Sequence, residues 1–343
     1  MGFAPQGADA QYMTREVETV AWRRQPHLNM LQVARRFLFP HWSLWVPLAC
    51  LLAVNLTWIF LSPRFSMSWM GWMMVLSVVL GCPAALLYGH LRSHAFDRLL
   101  QSLYLMLMAT LFTAFLTQQF NLFNHLTMSL GFPLVDGTLN EWDRALGFDW
   151  NAYAVMVASN PWIHNTLSFA YGPFIAIAFA ALIIVPVWFG RYERVNEVAF
   201  LSLASASVCI GLAAFFPAEA AWNTIATTET KAAFGEPLGL FWLDQFRALR
   251  SGDPVVLDLR TMQGLATFPS FHACLGLIIF WCSRGHWLTF LVGSTGGAAV
   301  LAATPVFGWH YAVDLLASGV VMAAAILLWR RIAPVMAGQG KTP

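Results

Sequence analysis

Apolar runs of about 20 residues, long enough to cross a bilayer, recur eight times along this chain. They fall near residues 43–61, 67–89, 99–120, 166–190, 195–217, 267–283, 286–304 and 310–329. Arg191-Tyr192-Glu193-Arg194 part the fourth run from the fifth, and Ser283-Arg284-Gly285 part the sixth from the seventh. Breaks this short require tight antiparallel hairpins. Two long loops, 121–165 and 218–266, interrupt the series. The pattern predicts an all-α fold: a polytopic membrane helix bundle of about eight transmembrane helices.

An even number of spans puts both long loops, with the 62–66 and 305–309 turns, on one side of the membrane. The two termini and the remaining turns share the other. Of the 19 lysines and arginines, 13 fall on the side of the termini. The six on the loop side are Arg64, Arg144, Lys231, Arg247, Arg250 and Arg260. Basic residues concentrate on the cytoplasmic face, so both termini are expected there. The loops are then expected in the periplasm, the cell exterior or an organelle lumen. Residues 1–42 are polar, with Arg23-Arg24 and Arg35-Arg36, and lack the apolar core and small residues of a cleaved leader. They read as a cytoplasmic lead-in, either an amphipathic surface helix or a flexible tail.

Composition agrees with lipid as the main solvent. The chain has 343 residues, 58% of them hydrophobic and 10% charged, against about 25% charged in a soluble domain. The net charge of +2 is too small to argue for a nucleic-acid partner. Sixteen tryptophans, many near expected span ends, fit anchoring at the membrane–water interface. The five cysteines lie inside apolar segments without a CxxC pair, so neither a zinc site nor a disulfide framework is indicated.

Two short stretches carry candidate chemistry: Phe268-Pro269-Ser270-Phe271-His272 and Gly308-Trp309-His310-Tyr311-Ala312-Val313-Asp314. Each places a histidine where an apolar span begins, and both spans start from the loop side. His310 and Asp314 are four apart, so on a helix they share a face. Phosphoryl transfer needs a nucleophile, an acid for the leaving oxygen and donors for the anionic oxygens. Asp314 would fix the His310 tautomer and leave the other ring nitrogen as attacker. His272 would supply the proton. Ser270 and the free N–H groups at the helix start would bind phosphate oxygens, and Pro269 suits a helix start because it has no N–H to lose.

Thr267 to Ala273 and Gly308 to Asp314 resemble the second and third signature motifs of the type 2 phosphatidic acid phosphatase (PAP2) superfamily. The branch they resemble most is that of the inositol phosphorylceramide synthases. Leu146-Gly147-Phe148-Asp149-Trp150 and Phe216-Pro217-Ala218-Glu219-Ala220-Ala221-Trp222 also resemble motifs of that branch, the second with Ala220-Ala221 where Pro-Pro is the pattern. The phosphatases' first motif, Lys-x6-Arg-Pro, is absent, and Ala303-Thr304 stand where their third motif begins with Ser-Arg. The resemblance implies a six-helix core over residues 99–331, two additional helices in 43–98 and a cytoplasmic tail at 332–343. It also implies catalysis by His310, Asp314 and His272 with no metal and no cofactor.

The activity so implied is a lipid phosphotransferase working through a phosphohistidine, moving a phosphoinositol-type headgroup to a ceramide or diacylglycerol. Its partners are a phospholipid donor and a lipid or polyol acceptor; no oligomeric state is implied. A lipid phosphatase shares every catalytic residue and remains the alternative. A metal enzyme using His272, His310 and Asp314, or an inert scaffold or transporter, are readings of other classes. Arg260 is the first candidate for the phosphate clamp, since a guanidinium binds phosphate through two bonds; Arg247, Arg250 and Lys231 follow. Asp143 and Asp149 are candidates for holding a polyol headgroup, with helix caps or solvated loop charge as their ordinary role.

Overall fold

The computed structural model describes residues 37–92, 97–235 and 241–339. Most of the expected N-terminal segment, with its two arginine pairs, and the end of the C-terminal tail lie outside the described residues. The architecture is a helical, multi-pass membrane bundle. Among the described residues seven helices are long and apolar enough to cross a membrane, and an eighth apolar helix is shorter.

A short turn at Trp42–Leu44 leads into α1 (Trp45–Leu61), followed by strand β1 (Phe65–Met67), α2 (Trp69–Arg92) and α3 (Arg98–Met128). Asp97 caps α3 by accepting from the Leu100 amide at 2.8 Å. The first long loop folds into α4 (Asp136–Ala145) and α5 (Trp150–Ala158). The next span consists of α6 (Pro161–Phe169), a π-helical turn over Ala170–Phe174, and α7 (Ile175–Trp188). Asn160 caps α6 and Pro161 takes its first position, where a missing N–H costs nothing. Then comes α8 (Tyr192–Phe215).

The second long loop carries α9 (Ala221–Thr224), α10 (Thr228–Phe234), α11 (Phe241–Ser251) and strand β2 (Val255–Leu257). The chain ends with α12 (Phe271–Cys282), α13 (Trp287–Phe307) and α14 (Ala312–Gln339). The sixth expected span, 267–283, is therefore helical for only 12 residues, about 18 Å at 1.5 Å per residue. Ser270 ends the helix by capping it, and the chain before it bends at Phe268-Pro269, which are joined by a cis peptide bond.

Both expected hairpins form, between α7 and α8 and between α12 and α13. Gly276 and Gly297 let α12 and α13 approach closely: a Cβ on Gly297 would lie 2.6 Å from the Gly276 carbonyl oxygen. Small residues of this kind are how membrane helices gain packing where burial from water offers no drive.

The connections expected on one side do meet at one end of the bundle. β1 pairs in parallel with β2, Phe65 opposite Val255 and Met67 opposite Leu257. Arg64 donates to the Leu249 carbonyl at 3.0 Å, and Arg250 to the Phe132 carbonyl at 2.7 Å. The Val135 amide donates to the Pro217 carbonyl at 3.0 Å. A second core, separate from the one between the spans, fills this end and is built around Trp150, Trp222, Trp309 and Tyr311.

Candidate active site

The segment between α13 and α14 is the centre of the site. Trp309 has a φ of 58°, a left-handed conformation that costs a non-glycine residue roughly 1–3 kcal/mol and persists only when its surroundings impose it. Here the Trp309 carbonyl accepts the Ala221 amide at 2.9 Å, and the Trp222 ring packs on the Trp309 ring with centroids 4.6 Å apart. Ala220, with a φ of 78°, is likewise held. The reversal at Trp309 aims the next side chain, His310, inward.

His310 Nδ1 lies 3.0 Å from Asp314 Oδ2, and His310 Nε2 lies 3.0 Å from the Ser270 hydroxyl. Asp314 Oδ2 also accepts the Tyr311 amide at 3.0 Å. His310 precedes the first residue of α14, so the pair is made across the helix start rather than along one helical face as the spacing predicts. A carboxylate on Nδ1 fixes the proton there and leaves Nε2 as an acceptor for Ser270. His310 is 4% exposed and Ser270 and Asp314 are fully buried. Burial lowers the His310 imidazole from its ordinary 6.5 to about 4, so it is neutral at physiological pH.

Ser270 is the N-cap of α12, accepting the Ala273 amide at 3.2 Å. Pro269 therefore lies before the cap rather than in the first turn. Ser318, one turn beyond Asp314, brackets the two halves. Its hydroxyl lies 2.9 Å from the Ser270 carbonyl and 2.6 Å from the Asp314 carbonyl.

His272 lies on the first turn of α12, within electrostatic reach of His310. Its ring stacks on Tyr171 with centroids 4.5 Å apart. Tyr171 belongs to the π-helical turn, a distortion frequent at functional sites. The Tyr171 hydroxyl also overlies Gly308: a Cβ there would lie 2.4 Å from that oxygen and 2.7 Å from His310 Cδ2. Tyr171 thus joins the two histidine segments, and Gly308 is needed for the fit.

The first loop clamps the same segment from outside. Asp143 of α4 accepts the amides of Ala312 at 2.8 Å and Val313 at 2.9 Å, capping α14 from another helix. Asp136, two turns earlier on the same face, accepts the Tyr311 hydroxyl at 2.9 Å and the Glu219 amide at 2.9 Å. Burial pushes both carboxyls up, against hydrogen bonds that pull them down. Trp150 donates its indole N–H to the carbonyls of Pro305 at 3.0 Å and His310 at 3.2 Å.

Of the residues singled out in the sequence, the structure brings together His310, Asp314, Ser270 and His272. Asp143 is there as a cap, its carboxylate taken up by two backbone amides. Asp149 caps α5 through the Ala152 amide at 3.0 Å and makes no hydrogen bond or ion pair to the histidines, Ser270 or Asp314 among the described residues. Arg260 folds onto Asp258, Nε to Oδ1 at 3.1 Å, beside the β1–β2 pair. The guanidinium holds Asp258 down at about 2. Arg260 makes no hydrogen bond or ion pair to the histidines or Ser270 among the described residues. That position is set by a partner two residues upstream.

Arg247 is better connected. It forks onto Glu219 with bonds of 3.2 and 3.1 Å, and Glu219 is tied through Asp136 to Tyr311. Asp136 and Tyr171 are site residues with no role expected from the sequence, and Trp150, expected as a motif residue and interfacial tryptophan, is a third. The signal for Asp136 was present as its seven-residue spacing from Asp143.

As a metal site, His272, His310 and Asp314 do not converge: Asp314 bonds the His310 ring and His272 stacks on Tyr171. Among the described residues no group of three or more His, Cys, Asp or Glu side chains is arranged to hold a metal.

Residues 137–328, more than half of the chain, match the family model described as PAP2 superfamily. No curated protein and no solved structure matches the chain.

Proposed function

The chain belongs to the PAP2 superfamily, and from that premise we propose that it is a membrane lipid phosphotransferase acting through a phosphohistidine on His310. Membership gives the coarse activity, an enzyme of the lipid phosphatase and phosphotransferase type. The observation that carries the finer reading is the buried Ser270–His310–Asp314 chain, with Nδ1 beside a carboxyl group and Nε2 facing a hydroxyl.

In the first half-reaction His310 Nε2 attacks phosphorus, the N–P bond forms and the bond from phosphorus to the donor lipid's oxygen breaks. His272, which enters the step as the imidazolium favoured by the anionic phosphate beside it, gives its proton to that oxygen. Asp314 takes the developing positive charge on the imidazole, the role a carboxylate plays beside any nucleophilic or basic histidine. In the second half-reaction an acceptor hydroxyl attacks phosphorus, returns its proton to His272 and releases Nε2. Ser270 turns its O–H from Nε2 to a phosphate oxygen as the phosphoryl group arrives. Arg247, freed from Glu219 or shared with it, is the base proposed to neutralise the phosphate.

Transfer rather than hydrolysis requires that water be kept from the phosphohistidine. The near-complete burial of His310 under the two folded loops supports that. The proposed donor carries a phosphoinositol-type headgroup and the acceptor is a ceramide or diacylglycerol. The lysine and arginine bias supports cytoplasmic termini, which would put the histidines on the periplasmic, extracellular or lumenal side.

The test is purified protein in lipid nanodiscs, with a chelator present and a panel of phospholipids supplied with and without ceramide or diacylglycerol. Products are followed by mass spectrometry. A new headgroup-bearing lipid, reduced by at least about 10⁴-fold in His310→Ala, is expected. Free phosphate and dephosphorylated lipid alone would make the protein a phosphatase. Turnover retained in His310→Ala would remove the proposed nucleophile.

A further inference from the structure

At the end of the bundle opposite the histidines, α7, α12 and α13 enclose a groove of about 690 Å³, within the roughly 300–1,000 Å³ range of ligand sites. Ile177 and Val185 of α7, Ile279 of α12, and Leu288 and Val292 of α13 form its walls. The α7 and α13 members of this set are exposed, so the groove opens sideways to the hydrocarbon. On its inner side Gly293 of α13 packs directly against Ser283 of the hairpin, where a Cβ would lie 2.0 Å from the Ser283 hydroxyl oxygen.

The rim of the groove is basic. Arg191, Arg194, Arg284 and His286 line it, and among the described residues no aspartate or glutamate does. Arg194, at 3.3 Å, and Arg284 both pair with Glu197, which is 3% exposed and also accepts the Trp281 indole N–H at 2.9 Å. One carboxylate therefore serves two guanidiniums. Arg284 is held further by lying 4.2 Å over the Trp281 ring. Arg191 is exposed and makes no ion pair among the described residues. A basic rim alone is ordinary for a membrane protein. A basic rim with fixed arginines, over an apolar groove open to lipid, is a match for a molecule with an acyl chain and an anionic head.

We propose that this groove binds an anionic phospholipid of the leaflet opposite the catalytic histidines, its acyl chain between α7 and α13 and its phosphate on Arg191 and Arg284. Guanidiniums suit that phosphate because their planar fork gives two parallel bonds. The proposal is independent of the phosphohistidine reading, since the basic rim lies beyond the end of α12 far from His272.

The experiment is native mass spectrometry of the full chain in detergent, titrated with phosphatidylglycerol or with phosphatidylcholine of the same acyl chains. Phosphatidylglycerol is expected to be retained about tenfold more tightly, a difference of roughly 1.4 kcal/mol. Arg191→Gln, which breaks no ion pair, should lower its retention, and Arg191→Gln/Arg284→Gln should bring it to the level of phosphatidylcholine. Ala181→Trp, which fills the groove, should reduce both lipids. Equal retention of the two lipids by the wild type would overturn the proposal. So would phosphatidylglycerol retention unchanged in both Arg191→Gln and Ala181→Trp. Full displacement by inorganic phosphate, with Ala181→Trp without effect, would reduce the site to an anion contact and also overturn it.

Discussion

The Ser270 hydroxyl faces His310 Nε2 at 3.0 Å while capping its own helix through the Ala273 amide. One oxygen therefore joins the start of α12 to the proposed nucleophile. Ser270→Ala removes the cap, at about 1 kcal/mol, and the donor to the arriving phosphate. A fall in kcat of about 10²-fold is expected, the scale of losing one donor to a developing anion. Ser270→Thr, which keeps the hydroxyl, should restore most of kcat. If Ser270→Ala lowers the melting temperature and leaves kcat intact, the serine is only a cap.

Asp314 decides which ring nitrogen of His310 carries the proton. Asp314 Oδ2 takes both His310 Nδ1 and the Tyr311 amide, so Asp314→Asn loses the charge, and an NH₂ turned to Nδ1 to shift the proton to Nε2, the proposed attacking atom, also leaves that amide unpaired. A loss in kcat of about 10³–10⁴-fold is expected, the scale seen on replacing the carboxylate of a hydrolytic triad, with a melting temperature lowered by the buried unpaired amide. Steady-state kinetics with circular-dichroism melts would check it; wild-type kcat in Asp314→Asn would refute the tautomer argument.

The nucleophile must be neutral. Burial lowers His310 from its ordinary 6.5 to about 4, so the ring is uncharged above that region and gains a proton only as the pH falls through it. The acid limb of kcat/KM is therefore expected near pH 4 instead of near 6.5. A limb at 6.5 that disappears in no His310 variant would belong to another group and contradict the assignment.

The eight apolar runs were legible because each repeats one physical demand, a length of hydrocarbon, over about 20 residues. α4, α5, α9, α10 and α11 were not, since stretches of 4 to 11 residues with mixed polarity vanish when averaged over such a length. The histidines and Asp314 were legible as a motif. Their support was not: the Trp150 bond to the His310 carbonyl spans 160 residues, and the Tyr311 bond to Asp136 spans 175. Contacts across such separations leave no local periodicity. The position of Arg260 was illegible for the opposite reason, a local partner at Asp258 that takes up its charge.

Asp143 and Asp149 were read together as candidates for a headgroup, and the structure separates their surroundings enough to test them apart. Asp149 is an exposed cap of its own helix. Asparagine caps as well as aspartate, so Asp149→Asn should change stability by less than about 0.5 kcal/mol and leave kinetics alone. Asp143 is 1% exposed, and each of its oxygens takes one backbone amide of α14. Asparagine there keeps one acceptor and turns an NH₂ toward the other amide, leaving a buried donor unpaired at about 1–3 kcal/mol. Asp143→Asn should therefore lower the melting temperature. It should also lower kcat, because the displaced amides lie two and three residues from His310. A headgroup ligand would behave differently: KM for the donor would rise while melting temperature and kcat held. That pattern in Asp143→Asn would return the residue to the substrate site and remove it from the frame that positions His310.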